Sequence, residues 1–95
     1  MAVAVVVEEK IKAGQTGAFV EYMREMIRLT KEEDGCIAYD LYEDADGSGE
    51  VMMVEIWETR EKLDAHMKTE HFAKFVPGGE VYKDAPPNIK ILNRL

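Results

Sequence analysis

The sequence predicts a single α+β domain over residues 1–95, with its elements in the order β-α-β-β-α-β. Three observations predict this order. A β-branched run opens the chain, a helical stripe with spacings of three and four follows, and two strand-like segments flank a glycine-containing turn. A chain of 95 residues buries only a modest core. We therefore expect a four-stranded sheet whose helices lie on one face.

The first strand and the first helix are the clearest local signals. The run Val3–Val7 is β-branched almost throughout and lacks polar alternation, which is typical of a strand buried on both faces. The first helix is predicted over Gln15–Glu33, because Asp34-Gly35 supplies a glycine stop signal. Its apolar stripe contains Phe19, Met23, Met26 and Thr30.

Two more strands are predicted as an antiparallel hairpin. Cys36–Glu43 alternates and places Tyr39 on one face, whereas Val51–Trp57 is mostly apolar on both faces. The segment Asp44–Gly49 between them has the composition of a turn. Together with the first strand, this hairpin would form most of the sheet.

The second helical region is predicted in two pieces. Thr59 is a suitable N-cap for a helix over Arg60–Lys68, and Thr69 is a suitable N-cap for a shorter helix over Glu70–Phe75. The sequence Val-Pro-Gly-Gly that follows is expected to break this helix. After a loop, Ile89–Leu95 alternates as a last strand, which completes the ferredoxin-like pattern.

Composition excludes several classes of function. The net charge of -7 argues against nucleic acid as a partner, because phosphates require Lys and Arg patches. No apolar run approaches the length of a membrane span, and no signal peptide opens the chain. A single cysteine, Cys36, fits a reducing cytoplasm. We therefore expect a cytoplasmic protein without membrane or nucleic-acid contacts.

A homodimer follows from the two apolar strands. Helices on one side of a four-stranded sheet leave its other side bare, yet the first and third strands are apolar on both faces. An exposed apolar face of this size is rare in monomers. We therefore expect a second copy to cover it, sheet against sheet.

Several residues resemble those of the antibiotic biosynthesis monooxygenase family. The resemblance spans nearly the whole chain and rests on Asp34-Gly35-Cys36, Tyr39, Glu55-x-Trp57, Leu63, His66-x4-His71-Phe72 and Phe75. It implies a dimeric α/β barrel with a substrate cavity between the sheet and the helices of one subunit. Members oxidise quinols or polycyclic phenols with O₂ without flavin or metal, degrade haem, or isomerise a phosphorylated signal. If the chain shares the oxidation of quinols or phenols, the resemblance implies that it needs no cofactor.

The haem-degrading branch lacks its residues in this sequence. The resemblance would require an Asn on the first strand, a Trp on the second helical region, and a ligating His about ten residues later. The first strand has no Asn, His66 stands near the position of that Trp, and the ligand would fall near Val76. The His-x4-His pair is more similar to the quinol monooxygenases and the signal isomerases.

His66 and His71 are the candidate catalytic residues. An imidazole exchanges a proton near neutral pH, and oxidation of a phenol by O₂ begins with its deprotonation. On one continuous helix a spacing of five would separate the two rings by about 140°, but a break at Thr69 would let both point inward. A purely structural pair is the alternative. A zinc site is not expected, because no further Cys or carboxylate cluster accompanies them.

The candidate pocket residues are Tyr39, Glu55, Trp57 and Phe75. Glu55 lies within an apolar strand and needs a partner if it is buried. It would either orient a pocket histidine or form an ion pair with Lys62, Arg60 or the second subunit. The aromatic residues would either line a pocket or fill an ordinary core.

The sequence favours a cofactor-independent monooxygenase that acts on a small quinol or phenol. One alternative is an isomerase or lyase that uses the same histidines on a small carbonyl compound. Another is a dimeric module that binds a small aromatic or hydrophobic molecule without converting it.

Overall fold

A four-stranded antiparallel sheet forms one layer of the molecule. The computed structural model describes all residues from Met1 to Leu95. The strands are β1 (Val3–Glu9), β2 (Cys36–Glu43), β3 (Val51–Trp57) and β4 (Asn88–Asn93). They lie in the order β2-β3-β1-β4, and each pairs antiparallel to its neighbour. This topology confirms the predicted ferredoxin-like arrangement.

Three helices form the second layer, on one face of the sheet. They are α1 (Thr16–Lys31), α2 (Arg60–His66) and α3 (Glu70–Gly78), and a short 3₁₀ helix over Gly79–Tyr82 continues α3. None of these helices is both long enough and apolar enough to cross a membrane. The helices pack on one face of the sheet and enclose a space above it.

The core lies between the two layers. The stripe predicted on α1 is confirmed, because Phe19, Met23, Met26 and Thr30 are all buried. The inner face of the sheet contributes alternate residues, since side chains two apart on a strand share a face. The buried apolar residues of β1 and β3 are Val3, Val5, Val51, Met53 and Trp57.

The other face of the sheet, which we call the outer face, is not covered within one chain. Its apolar residues are Ala4, Val6, Met52, Val54 and Ile56, flanked by Ala38, Tyr42 and Leu92. The charged residues Glu8, Asp40 and Lys90 lie on the same face. The prediction that β1 is buried on both faces is therefore wrong for the single chain, in which Ala4 and Val6 stay partly exposed. The sheet is also open, with β2 and β4 at its edges, and does not close into a barrel.

The end of α3 differs from the sequence-based expectation. The helix was expected to end at Phe75, but it continues through Pro77 to Gly78. A proline in the last turn removes one hydrogen-bond donor. The Tyr22 hydroxyl of α1 donates to the Phe75 carbonyl at 3.0 Å and ties this turn to α1. Gly78 permits that approach, because a β-carbon there would collide with the Tyr22 hydroxyl.

Candidate active site

A cavity of about 150 Å³ lies between the inner face of the sheet and the helices. Its walls are mostly apolar, and its polar side chains are few. The polar members are Glu9, Tyr39, Glu55, His66 and Lys83. Apolar cavities with a few convergent polar groups are typical of small-molecule sites.

The break between α2 and α3 turns both histidines toward one carboxylate. Thr69 adopts an extended conformation and its hydroxyl accepts a hydrogen bond from the Phe72 amide. The same hydroxyl donates to the His66 carbonyl at 2.8 Å, which joins the end of α2 to the start of α3. The chain therefore restarts a helix with a new direction, and His71 is no longer fixed about 140° from His66.

Glu33 is the carboxylate that receives both rings. Its Oε2 lies 2.6 Å from His66 Nδ1 and 2.7 Å from His71 Nε2. A carboxylate oxygen only accepts hydrogen bonds, so an ionised Glu33 places the hydrogen of His66 on Nδ1. The other nitrogen, Nε2, then carries a lone pair. This tautomer is the one that a general base requires.

The environment of His66 keeps the ring neutral near pH 7. The side chain is fully buried, and Nε2 has no hydrogen-bond partner in the protein. Burial lowers the pKa of His66, against the opposing effect of its hydrogen bond to Glu33. The ring packs 4.7 Å from the Trp57 ring and 5.4 Å from the Tyr39 ring. A neutral, oriented imidazole at a cavity wall is therefore able to take a proton.

Glu55 is a second unusual group at the same wall. Its Oε1 accepts a hydrogen bond from Trp57 Nε1 at 3.0 Å. Burial raises the pKa of Glu55 to about 7, and the charge of Glu33 adds to this effect. The expected ion pair with Lys62 or Arg60 is wrong, because those residues pair with Asp34 and Asp64 instead. Glu55 is thus able to hold or release a proton near neutral pH.

The predicted site residues divide into two groups. Tyr39, Glu55, His66 and Phe75 line the cavity, whereas Trp57 and His71 lie outside its lining. Trp57 instead packs on the His66 ring, and His71 Nε2 contacts the same oxygen of Glu33 as His66 does. The structure therefore brings both histidines to one cluster, of which only His66 lines the cavity.

Glu33 is the member of the candidate site that the sequence did not reveal. It follows α1 in a charged run with Glu32 and Asp34, where an acidic residue is expected to face water. Its partners are 33 and 38 positions away in the chain. By contrast, the contact between Glu55 and Trp57 was foreseeable, because residues two apart on a strand share a face.

Glu33, His66 and His71 also have the side-chain types of a metal site. Glu33, His66 and His71 offer three donor atoms within 4.8 Å of one another, and two imidazoles with a carboxylate form a known ligand set. Ligands at metal-bond distances from one ion stand about 3 Å apart. Here both nitrogens lie at hydrogen-bond distance from one oxygen, 2.6 and 2.7 Å away. The cluster as it stands is therefore a hydrogen-bonded one.

The lone cysteine does not contribute a nucleophile. Burial raises the pKa of the Cys36 thiol to about 11, and nearby carboxylates act in the same direction. The thiolate is the reactive form of cysteine. Cys36 therefore packs against the core at the start of β2.

Comparison with known proteins gives one consistent family. A family model described as antibiotic biosynthesis monooxygenase matches residues 2–78. Among curated proteins, an uncharacterised protein of Synechocystis (sll1783) is 32% identical over 82 residues, which cover 86% of this chain and 56% of that protein. Rv0793 of Mycobacterium tuberculosis, named as a candidate monooxygenase, is 46% identical over 50 residues, covering 53% of this chain and 48% of that protein. The matches thus span about half of these two relatives.

Solved structures agree with the family match over the whole fold. The structure of Rv0793 has a TM-score of 0.90 and 32% identity, and the match covers 100% of this chain and 96% of that one. A conserved protein from Methanosarcina mazei has a TM-score of 0.94 and 26% identity, covering 100% and 94% of the two chains. The arrangement of sheet and helices is therefore shared with both.

Proposed function

Because the chain belongs to the antibiotic biosynthesis monooxygenase family, we propose that it oxidises a small quinol or phenol with O₂. The general assignment as a monooxygenase-like protein rests on the family. The choice of substrate class rests on the cavity, which has apolar walls and one oriented, unprotonated imidazole nitrogen. This nitrogen, His66 Nε2, is the single observation that supports the proposal most.

His66 starts the reaction by taking the proton of the substrate hydroxyl onto Nε2. Glu33 holds the opposite side of the ring through Nδ1 and stabilises the imidazolium that results. Opposite charges at hydrogen-bond distance favour the charged form of the histidine. His71 holds Glu33 in turn through its own hydrogen bond. The proton therefore moves without any large displacement of the protein.

The deprotonated substrate then supplies the electrons. A phenolate or quinolate transfers an electron to O₂, and the radical pair forms a carbon–oxygen bond. The resulting peroxide takes the proton back from His66 and becomes a ring hydroperoxide. Loss of water from the hydroperoxide leaves a hydroxyquinone when the substrate is a quinol. One oxygen atom enters the product and the other leaves as water, so quinol and O₂ give hydroxyquinone and water. The apolar walls favour the spread of charge over the ring rather than its hydration.

Oxygen consumption tests this function directly. Purified protein is mixed with a panel of quinols and phenols, and O₂ uptake is followed together with product mass and peroxide release. Loss of a general base lowers the rate by about 100-fold or more, so His66→Ala should fall by that amount. His71→Ala should lose less, because His71 does not line the cavity. Full activity of His66→Ala would refute the proposed base.

An isomerase is the second candidate, and one observation favours it. Glu55 and His66 both line the cavity, and burial brings the pKa of Glu55 to about 7. A protonated carboxyl and a neutral imidazole together are suited to move a proton between two carbons of a carbonyl compound. Isomer formation without O₂ uptake would favour this activity, and binding without turnover would favour a non-catalytic module.

A homodimer in the cytoplasm is also part of the proposal. The outer face supports the dimer, because its apolar residues on β1 and β3 have no cover within the chain. The symmetric solution pairs the same face of two copies. The single cysteine and its unreactive thiol fit a reducing compartment.

A further inference from the structure

The cavity has a second polar end that the proposed reaction does not use. Lys83 and Glu9 line this end, and their charged atoms lie 2.7 Å apart. Both side chains are largely buried, with 13% and 7% of their surface exposed. A buried lysine at a cavity wall costs free energy unless its charge is compensated. Glu9 supplies that compensation for Lys83.

The two polar ends are separated by an apolar stretch of the sheet. Glu55 lies opposite Val5 in the register of β1 and β3. Glu9 lies four residues further along β1, which corresponds to about 13 Å of strand. Between them Val7 pairs with Met53 and Ile89. A ligand that reaches from one end to the other therefore needs an apolar middle and polar groups at opposite ends.

The charges of the cavity argue against a charged ligand. Lys83 is the one Lys or Arg in the lining, and Glu9 already neutralises it. A phosphate is normally held by several cations or by backbone amides at a helix start. The remaining acidic group, Glu55, would repel an anion once it is ionised. The site therefore favours a neutral molecule over a phosphorylated or carboxylated one.

Lys83 retains hydrogen-bonding capacity toward the cavity. An ammonium group has three donors, and the contact of Lys83 with Glu9 is an ion pair rather than a hydrogen bond of good geometry. The group also lies 5.5 Å from the centre of the Phe19 ring, which holds it against the cavity wall. A donor thus remains for an oxygen atom of the ligand.

We propose that Lys83, held by Glu9, donates a hydrogen bond to a second oxygen of the substrate. The substrate is then a neutral, single-ring aromatic compound with oxygens at opposite ends, of the 1,4-hydroquinone type. One oxygen meets His66 and the other meets Lys83. A cavity of about 150 Å³ limits the ligand to one ring, because a benzene molecule fills an apolar cavity of that volume. This inference rests on the proposed function, since it names the substrate of the same cavity.

Ligand binding without O₂ tests the inference apart from turnover. Under anaerobic conditions, calorimetry compares 1,4-hydroquinone with 4-methylphenol, which has the same shape but no second oxygen, and with 4-hydroxybenzoate, which carries a charge. A hydrogen bond to a charged donor strengthens binding by about tenfold or more. We therefore expect hydroquinone to bind about tenfold more tightly than 4-methylphenol, and 4-hydroxybenzoate to bind more weakly than hydroquinone.

Variants at the second end decide whether Lys83 causes this preference. Lys83→Met removes the donor but leaves Glu9 buried and unpaired, so the double variant Glu9→Gln with Lys83→Met keeps the test valid if the single one does not fold. In the double variant the preference for hydroquinone should vanish. Lys68→Met, at an exposed lysine, is the control and should keep it.

The outcomes separate the inference from the function. Equal binding of hydroquinone and 4-methylphenol, a preference that survives in the double variant, or tighter binding of 4-hydroxybenzoate would overturn the inference. If O₂ uptake still depends on His66 in that case, the proposed function stands alone. If hydroquinone binds through Lys83 but no O₂ is consumed, the inference about Lys83 stands and the proposed oxidation is refuted.

Discussion

At the scale of single residues, the site is organised by Glu33. One oxygen atom binds two histidines, and this arrangement places the hydrogen of His66 on Nδ1 and leaves Nε2 without a partner in the protein. Neither histidine alone would have a defined tautomer, because a neutral ring places its hydrogen on either nitrogen. We therefore expect Glu33 to act as a positioning residue and His66 to act as the group that meets substrate.

Replacement of Glu33 should change the titration of His66. The hydrogen bond and charge of Glu33 raise the pKa of His66 against the effect of burial, so Glu33→Gln should lower that pKa further. NMR titration of the ring protons measures this shift without any substrate. We also expect kcat to fall by about tenfold. Glu32→Gln, at the exposed neighbour that pairs with Arg28, is the control; an unchanged His66 titration in Glu33→Gln would contradict the assigned role.

Glu55 should make stability depend on pH. Burial raises the pKa of Glu55 from 4.5 to about 7, so between these values the folded protein binds a proton that the unfolded chain has released. The free energy of unfolding therefore falls as pH rises through this window. Glu55→Gln should lack this fall and gain about 1–3 kcal/mol relative to the native protein between pH 4.5 and pH 8.

Urea denaturation at several pH values measures the effect of Glu55. The amide of Gln still accepts the hydrogen bond of Trp57, so packing is preserved. Glu50→Gln, at an exposed glutamate next to β3, serves as the control. Parallel pH profiles for the native protein and Glu55→Gln would show that Glu55 is ionised normally in the fold.

At the scale of elements, the junction between α2 and α3 determines the site. The helix α2 ends at His66, and Thr69 caps the start of α3. The Thr69 hydroxyl makes one hydrogen bond to each helix. The break lets two histidines five residues apart contact the same carboxylate, Glu33, which a continuous helix would not allow. The loops and strands elsewhere only bring Glu33 and the cavity wall to this junction.

Removal of the Thr69 hydroxyl should destabilise the fold and disturb both histidines. Loss of a helix N-cap costs about 1 kcal/mol, and Thr69→Ala also removes the bond to the His66 carbonyl. Urea denaturation and the ring-proton shifts of His66 and His71 measure the two effects. Thr69→Ser keeps the hydroxyl and should behave as the native protein does. Native stability in Thr69→Ala would mean that the junction is held by packing alone.

The elements also show which features a sequence reveals. The stripe on α1, the hairpin of β2 and β3, and the two threonine caps are local patterns, and the structure confirms them. The continuation of α3 past Phe75 depends on a hydroxyl from α1. The role of Glu33 likewise depends on contacts across the fold. These features were missed because the residues that cause them lie far apart in the chain.

At the scale of the whole molecule, the outer face is an apolar surface that the chain itself leaves uncovered. Its centre is Val54, which lies opposite Val6 on one side and Asp40 on the other. Hydrophobic burial is worth about 25 cal/mol per Å², so a second copy on this face would bring a large gain. The cavity, on the opposite side of the sheet, would be left unchanged by that association.

A charge at the centre of the outer face should prevent association. Val54→Lys places an ammonium group where two sheets would meet, and the carboxylate opposite it, Asp40, is already paired with Lys31. Burying the added charge is therefore costly. Sedimentation velocity at micromolar concentration should show a dimer for the native protein and a monomer for Val54→Lys. Val81→Lys, at an exposed valine on the helical side, should stay dimeric. A native protein that sediments as a monomer would refute the dimer.

The exposure of β4 has a consequence for how a ligand enters. Every residue of β4 is exposed, although the strand pairs with β1 along its length. Ile89 and Ile91 of this strand also line the cavity. Local unfolding begins in elements with little buried surface, so the amides of β4 should exchange hydrogen for deuterium faster than those of β3. A bound ligand that packs on these isoleucines should slow that exchange. We therefore expect the ligand to enter the cavity when the edge strand β4 opens locally.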